Sequence, residues 1–114
     1  MLKYVKGEIM KLYEILTKLN SEAEFEEFFE DLCTYAEIEK MEQRVAAAQM
    51  FLEGATYNQV IKKTDISSAT LSRVSRCIRH GSGGYSKLLR DMMAEERALL
   101  EAEAQEAEEA PSEE

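Results

Sequence analysis

The sequence predicts an all-helical protein with a helix-turn-helix near its centre, and three observations carry that prediction. Apolar residues recur at three- and four-residue spacing along most of the 114 residues, and no alternating strand-like run interrupts them. The one proline is Pro111, beyond the helical body. Between Thr56 and Arg79, two short periodic segments each follow a hydroxyl residue suited to capping, with Thr64-Asp65-Ile66 between them as turn chemistry plus one apolar residue to bury.

Each element has its own local justification. Gly7 opens the apolar pattern Ile9, Met10, Leu12, Tyr13, Leu16 and Leu19, which fits one amphipathic helix broken by Asn20-Ser21. Ser21 and Glu24 form a capping box for a second helix with the aromatic stripe Phe25, Phe28, Phe29 and Leu32. Thr34 and Glu37 offer the same device to a third helix, carrying Ile38, Met41, Val45, Ala48, Met50, Phe51 and Leu52 and ending at Gly54. Thr56 with Gln59 starts the fourth helix. Ser67 starts the fifth, whose Leu71, Val74 and Ile78 recur at helical spacing. Gly81-Ser-Gly-Gly84 reads as a flexible break, after which Tyr85 to about Leu100 resumes helical spacing through Leu88, Leu89, Met92 and Met93. The expected organisation is a single domain over residues 1–100, with the helix-turn-helix at about 56–80, and an acidic, flexible tail over 101–114.

Charge separates the function classes. The formal net charge is -9, but residues 101–114 hold seven Glu and no base, and without them the body has 16 acids against 14 bases. Within that nearly neutral body, Gly54 to His80 carries Lys62, Lys63, Arg73, Arg76 and Arg79 against the single acid Asp65. Basic residues concentrated on one element of an acidic protein are the footprint of phosphate contacts, which makes double-stranded DNA the expected ligand. Two capped amphipathic helices in series also occur in any helical bundle, so the alternative is a protein-interaction adaptor that grips a partner through the Phe-rich helices or the acidic tail. An enzyme is the remote reading, because His80 is the only histidine and no nucleophile, base or carboxylate pair surrounds it. Gly81–Gly84 lacks the lysine and strand context of a nucleotide-phosphate loop. Cys33 and Cys77 lack metal-ligand spacing and read as packing residues, so no metal or cofactor is expected. No signal peptide or membrane span is visible, and the reducing cytoplasm is the expected compartment.

Two N-terminal helices with this much apolar surface exceed what a small reading head can cover, so a homodimer joined through the regions Ile9–Leu19 and Phe25–Leu32 is expected.

Three runs of residues resemble a known family. Thr34-Tyr-Ala-Glu-Ile-Glu-Lys-Met-Glu-Gln-Arg-Val45, Phe51-Leu-Glu-Gly-Ala-Thr-Tyr-Asn-Gln-Val60 and Ile66-Ser-Ser-Ala-Thr-Leu-Ser-Arg73 are similar to the Trp repressor superfamily, in particular its YerC/YecD-type branch. The likeness covers roughly Leu32 to Leu89, and Ala69-Thr70-Leu71-Ser72-Arg73 is its most specific part. It implies an intertwined all-helical homodimer that binds operators and regulates transcription. By matching position it puts Ser68, Ala69 and Thr70 at base edges or adjoining phosphates, with Asn58 and Ser72 in support. Charge adds Lys62, Lys63, Arg76 and Arg79 as phosphate contacts, each of which could equally be a solvated surface residue. Arg44 and Arg73 stand where tryptophan-responsive members enclose their corepressor, although an intramolecular ion pair or a phosphate contact is the simpler role for both. Val74 replaces a glycine that leaves the ligand room, and Cys77 replaces a serine that hydrogen-bonds it. These two departures argue against tryptophan as the effector of a pocket formed by Arg44, Arg73, Val74 and Cys77. Neither the operator nor the sense of regulation, repression or activation, follows from the sequence.

Overall fold

The computed structural model describes residues 7–109, which form six α-helices and one π-helical turn. In chain order these are α1 (Leu12–Leu16), α2 (Glu22–Leu32), α3 (Tyr35–Leu52), α4 (Tyr57–Lys63), α5 (Ser68–His80), the π turn (Gly84–Leu89) and α6 (Arg90–Glu109). Contacts divide the chain into two compact units, with the boundary inside α3 between Glu39 and Lys40.

In the first unit, local capping decides where helices form. Ser21 Oγ accepts from the Glu24 N–H at 3.1 Å, and the Glu24 carboxylate reaches back to accept from the Asn20 N–H at 2.7 Å. This closes the box one residue further out than the standard form. At the start of α3 the box is complete: Thr34 Oγ1 accepts from the Glu37 N–H at 3.2 Å and the Glu37 carboxylate accepts from the Thr34 N–H at 2.9 Å. The helix expected from the Ile9–Leu19 pattern is much shorter than that pattern, since α1 covers only Leu12–Leu16. Lys11 at its N-cap supplies no side-chain bond, and five residues barely exceed the costly first turn of a helix. Neither α1 nor α2 contains a buried residue. Ile9, Met10, Leu12, Tyr13, Phe25 and Leu32 are all exposed, Tyr13 to 79%. Phe28 and Phe29 are half-buried and meet edge to face, with centroids 6.3 Å apart.

The second unit holds the buried core. Ala47 and Ala48 of α3, Val60 of α4, Ile66 of the turn, and Leu71 and Val74 of α5 form one cluster, against which Met50, Phe51, Ala55, Ile78, Tyr85 and Leu89 pack. The alanines are small enough for helices to approach closely, and the branched residues fill the space between them. Gly54 ends α3 as expected. Its N–H donates to the Phe51 carbonyl, and its φ of +97° lets the Ala55 N–H reach the Met50 carbonyl, both at 3.0 Å. A Cβ at Gly54 would meet nothing within 4 Å, so the obstacle to a side chain there is the left-handed backbone alone. Gly54→Ala is therefore expected to lower stability by about 1–2 kcal/mol, measured as a shift of the urea midpoint without a change in slope.

The glycine break after α5 is sterically defined. A Cβ on Gly81 would collide with the Cys77 carbonyl oxygen, whose lone pair accepts from the Gly81 N–H at 2.8 Å. The Gly83 carbonyl then accepts from both Lys87 and Leu88 N–H groups at 3.0 Å, the second of these being the five-residue step that makes the turn π-helical. α6 follows directly and stays helical through Glu109, so residues 101–109 of the expected tail are an exposed helix.

Candidate nucleic-acid interface

The reading head is built from two capped helices and the turn between them. Thr56 Oγ1 accepts from the Gln59 N–H at 3.2 Å, and the Gln59 amide oxygen accepts from the Thr56 N–H at 2.8 Å, which fixes the start of α4. Its end is fixed by Thr64, whose N–H and hydroxyl both donate to the Val60 carbonyl, at 3.0 and 2.9 Å. Ser67 caps α5 by accepting from the Thr70 N–H at 3.2 Å, while its hydroxyl donates to Thr70 Oγ1 at 2.9 Å. Ile66 is buried between the two helices and holds the turn to the core. Each of these devices is local, so the angle between α4 and α5 rests on contacts between the helices, among them the packing around Val60, Ile66, Leu71 and Val74.

Helical geometry divides the α5 residues between faces. Leu71, Val74 and Ile78 form the inward stripe. At 100° per residue, Ala69, Ser72, Arg76 and Arg79 fall on the opposite side, and all four are exposed. Ser68 and Arg73 flank that face and are exposed as well. Thr70 is half-buried, turned towards its cap Ser67, and so stands apart from the others. Asn58 is exposed in the first turn of α4, and Lys62 and Lys63 are exposed in its last turn. The one ion pair among the described residues joins Arg97 and Glu53 at 3.4 Å. Among the described residues no carboxylate therefore occupies Lys62, Lys63, Arg73, Arg76 or Arg79, nor Arg44. The intramolecular ion pair that would explain Arg44 and Arg73 without a ligand is not formed among these residues.

One residue of the head escapes sequence reasoning. The Tyr57 hydroxyl lies 3.1 Å from the Ser68 carbonyl oxygen, to which it donates, and 3.4 Å from Ser72 Oγ. A tyrosine just after an N-cap looks like any surface aromatic, and a contact eleven residues downstream leaves no local trace in the sequence.

The other three expected effector residues do not line the cavity that Cys77 lines. Val74 is 2% exposed, within the core cluster, whereas Arg44 and Arg73 are exposed. Cys77, half-buried, lines an open cavity of about 480 Å³ together with Val45, Gly81, Tyr85, Leu88 and Met92, and neither arginine nor Val74 lines it.

Comparison with known proteins decides the family. The sequence model of the Trp repressor protein family matches residues 7–93, which includes all of α1 to α5 and the π turn. The chain belongs to the Trp repressor family. Among relatives in this family, the uncharacterized protein YerC of Bacillus subtilis strain 168 is 39% identical over 82 residues, spanning 72% of this chain and 79% of that protein. Two crystal structures share the family architecture. A Trp repressor candidate from Staphylococcus aureus is 36% identical with a TM-score of 0.67, covering 71% of this chain and 81% of its own. A TrpR-like protein from Eubacterium eligens ATCC 27750 is 37% identical with a TM-score of 0.66, covering 71% and 84%. Membership gives the coarse class, a DNA-binding transcriptional regulator. No helix among the described residues is long and apolar enough to cross a membrane.

Proposed function

We propose that the protein is a homodimeric, sequence-specific regulator that binds duplex operators without requiring tryptophan. The observation that carries this reading is the outer face of α5: Ala69, Ser72, Arg76 and Arg79 exposed opposite the buried stripe, with unpaired cations beside small polar groups at the helix N-terminus. Small residues let the backbone approach a major groove, and the cations flanking them suit phosphates. Homodimerisation is supported by α1 and α2, which bury no residue within the chain and leave an apolar surface that a second copy would cover. A twofold arrangement sets the two α5 helices into successive major grooves about 34 Å apart, so the operator is a palindrome or near-palindrome. Cytoplasmic residence follows from this role.

Selection of bound sequences from a random duplex pool tests the reading. An enriched palindrome supports it, and no enrichment leaves the adaptor reading in its place. On the selected duplex, Lys63→Ala with Arg76→Ala is expected to weaken binding to all sequences and to reduce the slope of log affinity against log salt by about two, one for each phosphate no longer neutralised. Unchanged affinity and slope would mean that α4 and α5 do not face the DNA backbone in this way.

A further inference from the structure

The hydrogen bonds between Tyr57 and the start of α5 fix more than position. Tyr57 Oη is 3.1 Å from the Ser68 carbonyl oxygen and 3.4 Å from Ser72 Oγ. A phenol carries one proton, and a carbonyl can only accept, so the Tyr57 proton goes to Ser68. The Ser72 contact is then made by the Ser72 proton, donated to Tyr57 Oη. Ser72 Oγ is left with lone pairs alone to offer to solvent or to a ligand. From this geometry, and resting on the DNA-binding reading above, we infer that Tyr57 biases Ser72 towards accepting hydrogen bonds, making Ser72 the residue that favours an amino-bearing base.

The chemistry of the groove gives that constraint a direction. In the major groove the exocyclic amino groups of adenine and cytosine are donors, whereas guanine N7 and O6, thymine O4 and every phosphate oxygen are acceptors. A serine free to rotate its proton can satisfy either kind of partner. With its proton directed towards Tyr57, Ser72 favours adenine or cytosine over guanine, thymine and the backbone. Ser72 shares the exposed face of α5 with Ala69 and Arg76, so the base it meets lies between their contacts. Tyr57 is a positioning residue in this scheme. It acts through Ser72 and need not touch DNA.

The test uses the full-length protein, a duplex selected from a random pool, and single-base variants of that duplex. The parent protein is expected to prefer adenine or cytosine at one position of each half-site, by about 3- to 10-fold over guanine or thymine, the range of one hydrogen bond. Tyr57→Phe keeps the ring and releases the Ser72 proton, so it should still bind while that one preference flattens. Ser72→Ala should flatten the same position to the same degree, and the double variant should add nothing further. Thermal melts of each variant separate this from a folding defect, and the exposed Ser72→Ala reports even where Tyr57→Phe is destabilised. Three results overturn the inference: Tyr57→Phe with preferences unchanged, a uniform loss over all sequences, or a guanine or thymine preference at the position that Ser72→Ala flattens. A parent protein that enriches no duplex at all overturns the DNA-binding reading and this inference with it.

Discussion

Val74→Gly is expected, on the proposed tryptophan-independent function, to let the protein bind the amino acid, at the expense of about 3 kcal/mol of stability. The loss has two parts. Removing a side chain that is 2% exposed forfeits about 1.5–3 kcal/mol of burial, and glycine in a helix interior costs about 1 kcal/mol more. The gain is space in the core at position 74, next in sequence to the exposed Arg73, where the resemblance to tryptophan-responsive members places a glycine. Val74 packs with Ala47, Ala48, Val60, Ile66 and Leu71, so in the parent protein it contributes to holding α5 on the head without a ligand. A head already held in its binding conformation avoids the affinity penalty of a sparsely populated competent state. Calorimetric titration of tryptophan into parent and variant measures the first effect, and urea unfolding the second. The reverse result is equally sharp. Micromolar tryptophan binding by the parent, with a tenfold or larger gain in operator affinity, or about 1.4 kcal/mol of coupling, would establish a corepressor mechanism in its place.

The second large effect concerns assembly. Phe28→Glu with Phe29→Glu places two charges in the aromatic pair of α2, on the helix that also carries the exposed Phe25 and Leu32. Sedimentation is expected to show a dimer for the parent at micromolar concentration and a monomer or unfolded chain for the variant. Operator affinity should fall by at least about a hundredfold, because a single reading head loses the effective concentration that its twin supplies. A stable folded monomer of the parent would overturn the homodimer, and a variant that still dimerises would move the interface away from α2.

What is legible in the sequence is what is encoded locally. The starts of α2, α3, α4 and α5 follow from Ser21, Thr34, Thr56 and Ser67, because a cap and its partner lie three residues apart and need no tertiary information. Gly54 is legible for the same reason. The extent of α1 is not, since the periodic run Ile9–Leu19 records a face to be covered without recording what covers it, and only Leu12–Leu16 is helical. Within the candidate site, the cations of α4 and α5 are evident from charge and spacing. Val74 is recognisable as a departure from tryptophan-responsive relatives, but its place in the core cluster requires the packing of three helices and a turn. Tyr57 is invisible because its partners, Ser68 and Ser72, are defined only once α4 and α5 cross.

The π turn at Gly84–Leu89 bears on how this lineage could have changed. A π turn behaves as an α-helix that has absorbed one inserted amino acid without breaking, and each added residue rotates everything beyond it by about 100°. The side of α6 on which Met92, Met93, Leu99 and Leu100 fall is thus set by a single residue of length some way upstream. The family match ends at residue 93, just past that turn. A one-residue insertion or deletion within the turn redirects the entire twenty-residue helix while leaving α4, α5 and their caps untouched. A change of length at this turn gives α6 a new outward face while the helices of the candidate interface keep their sequence.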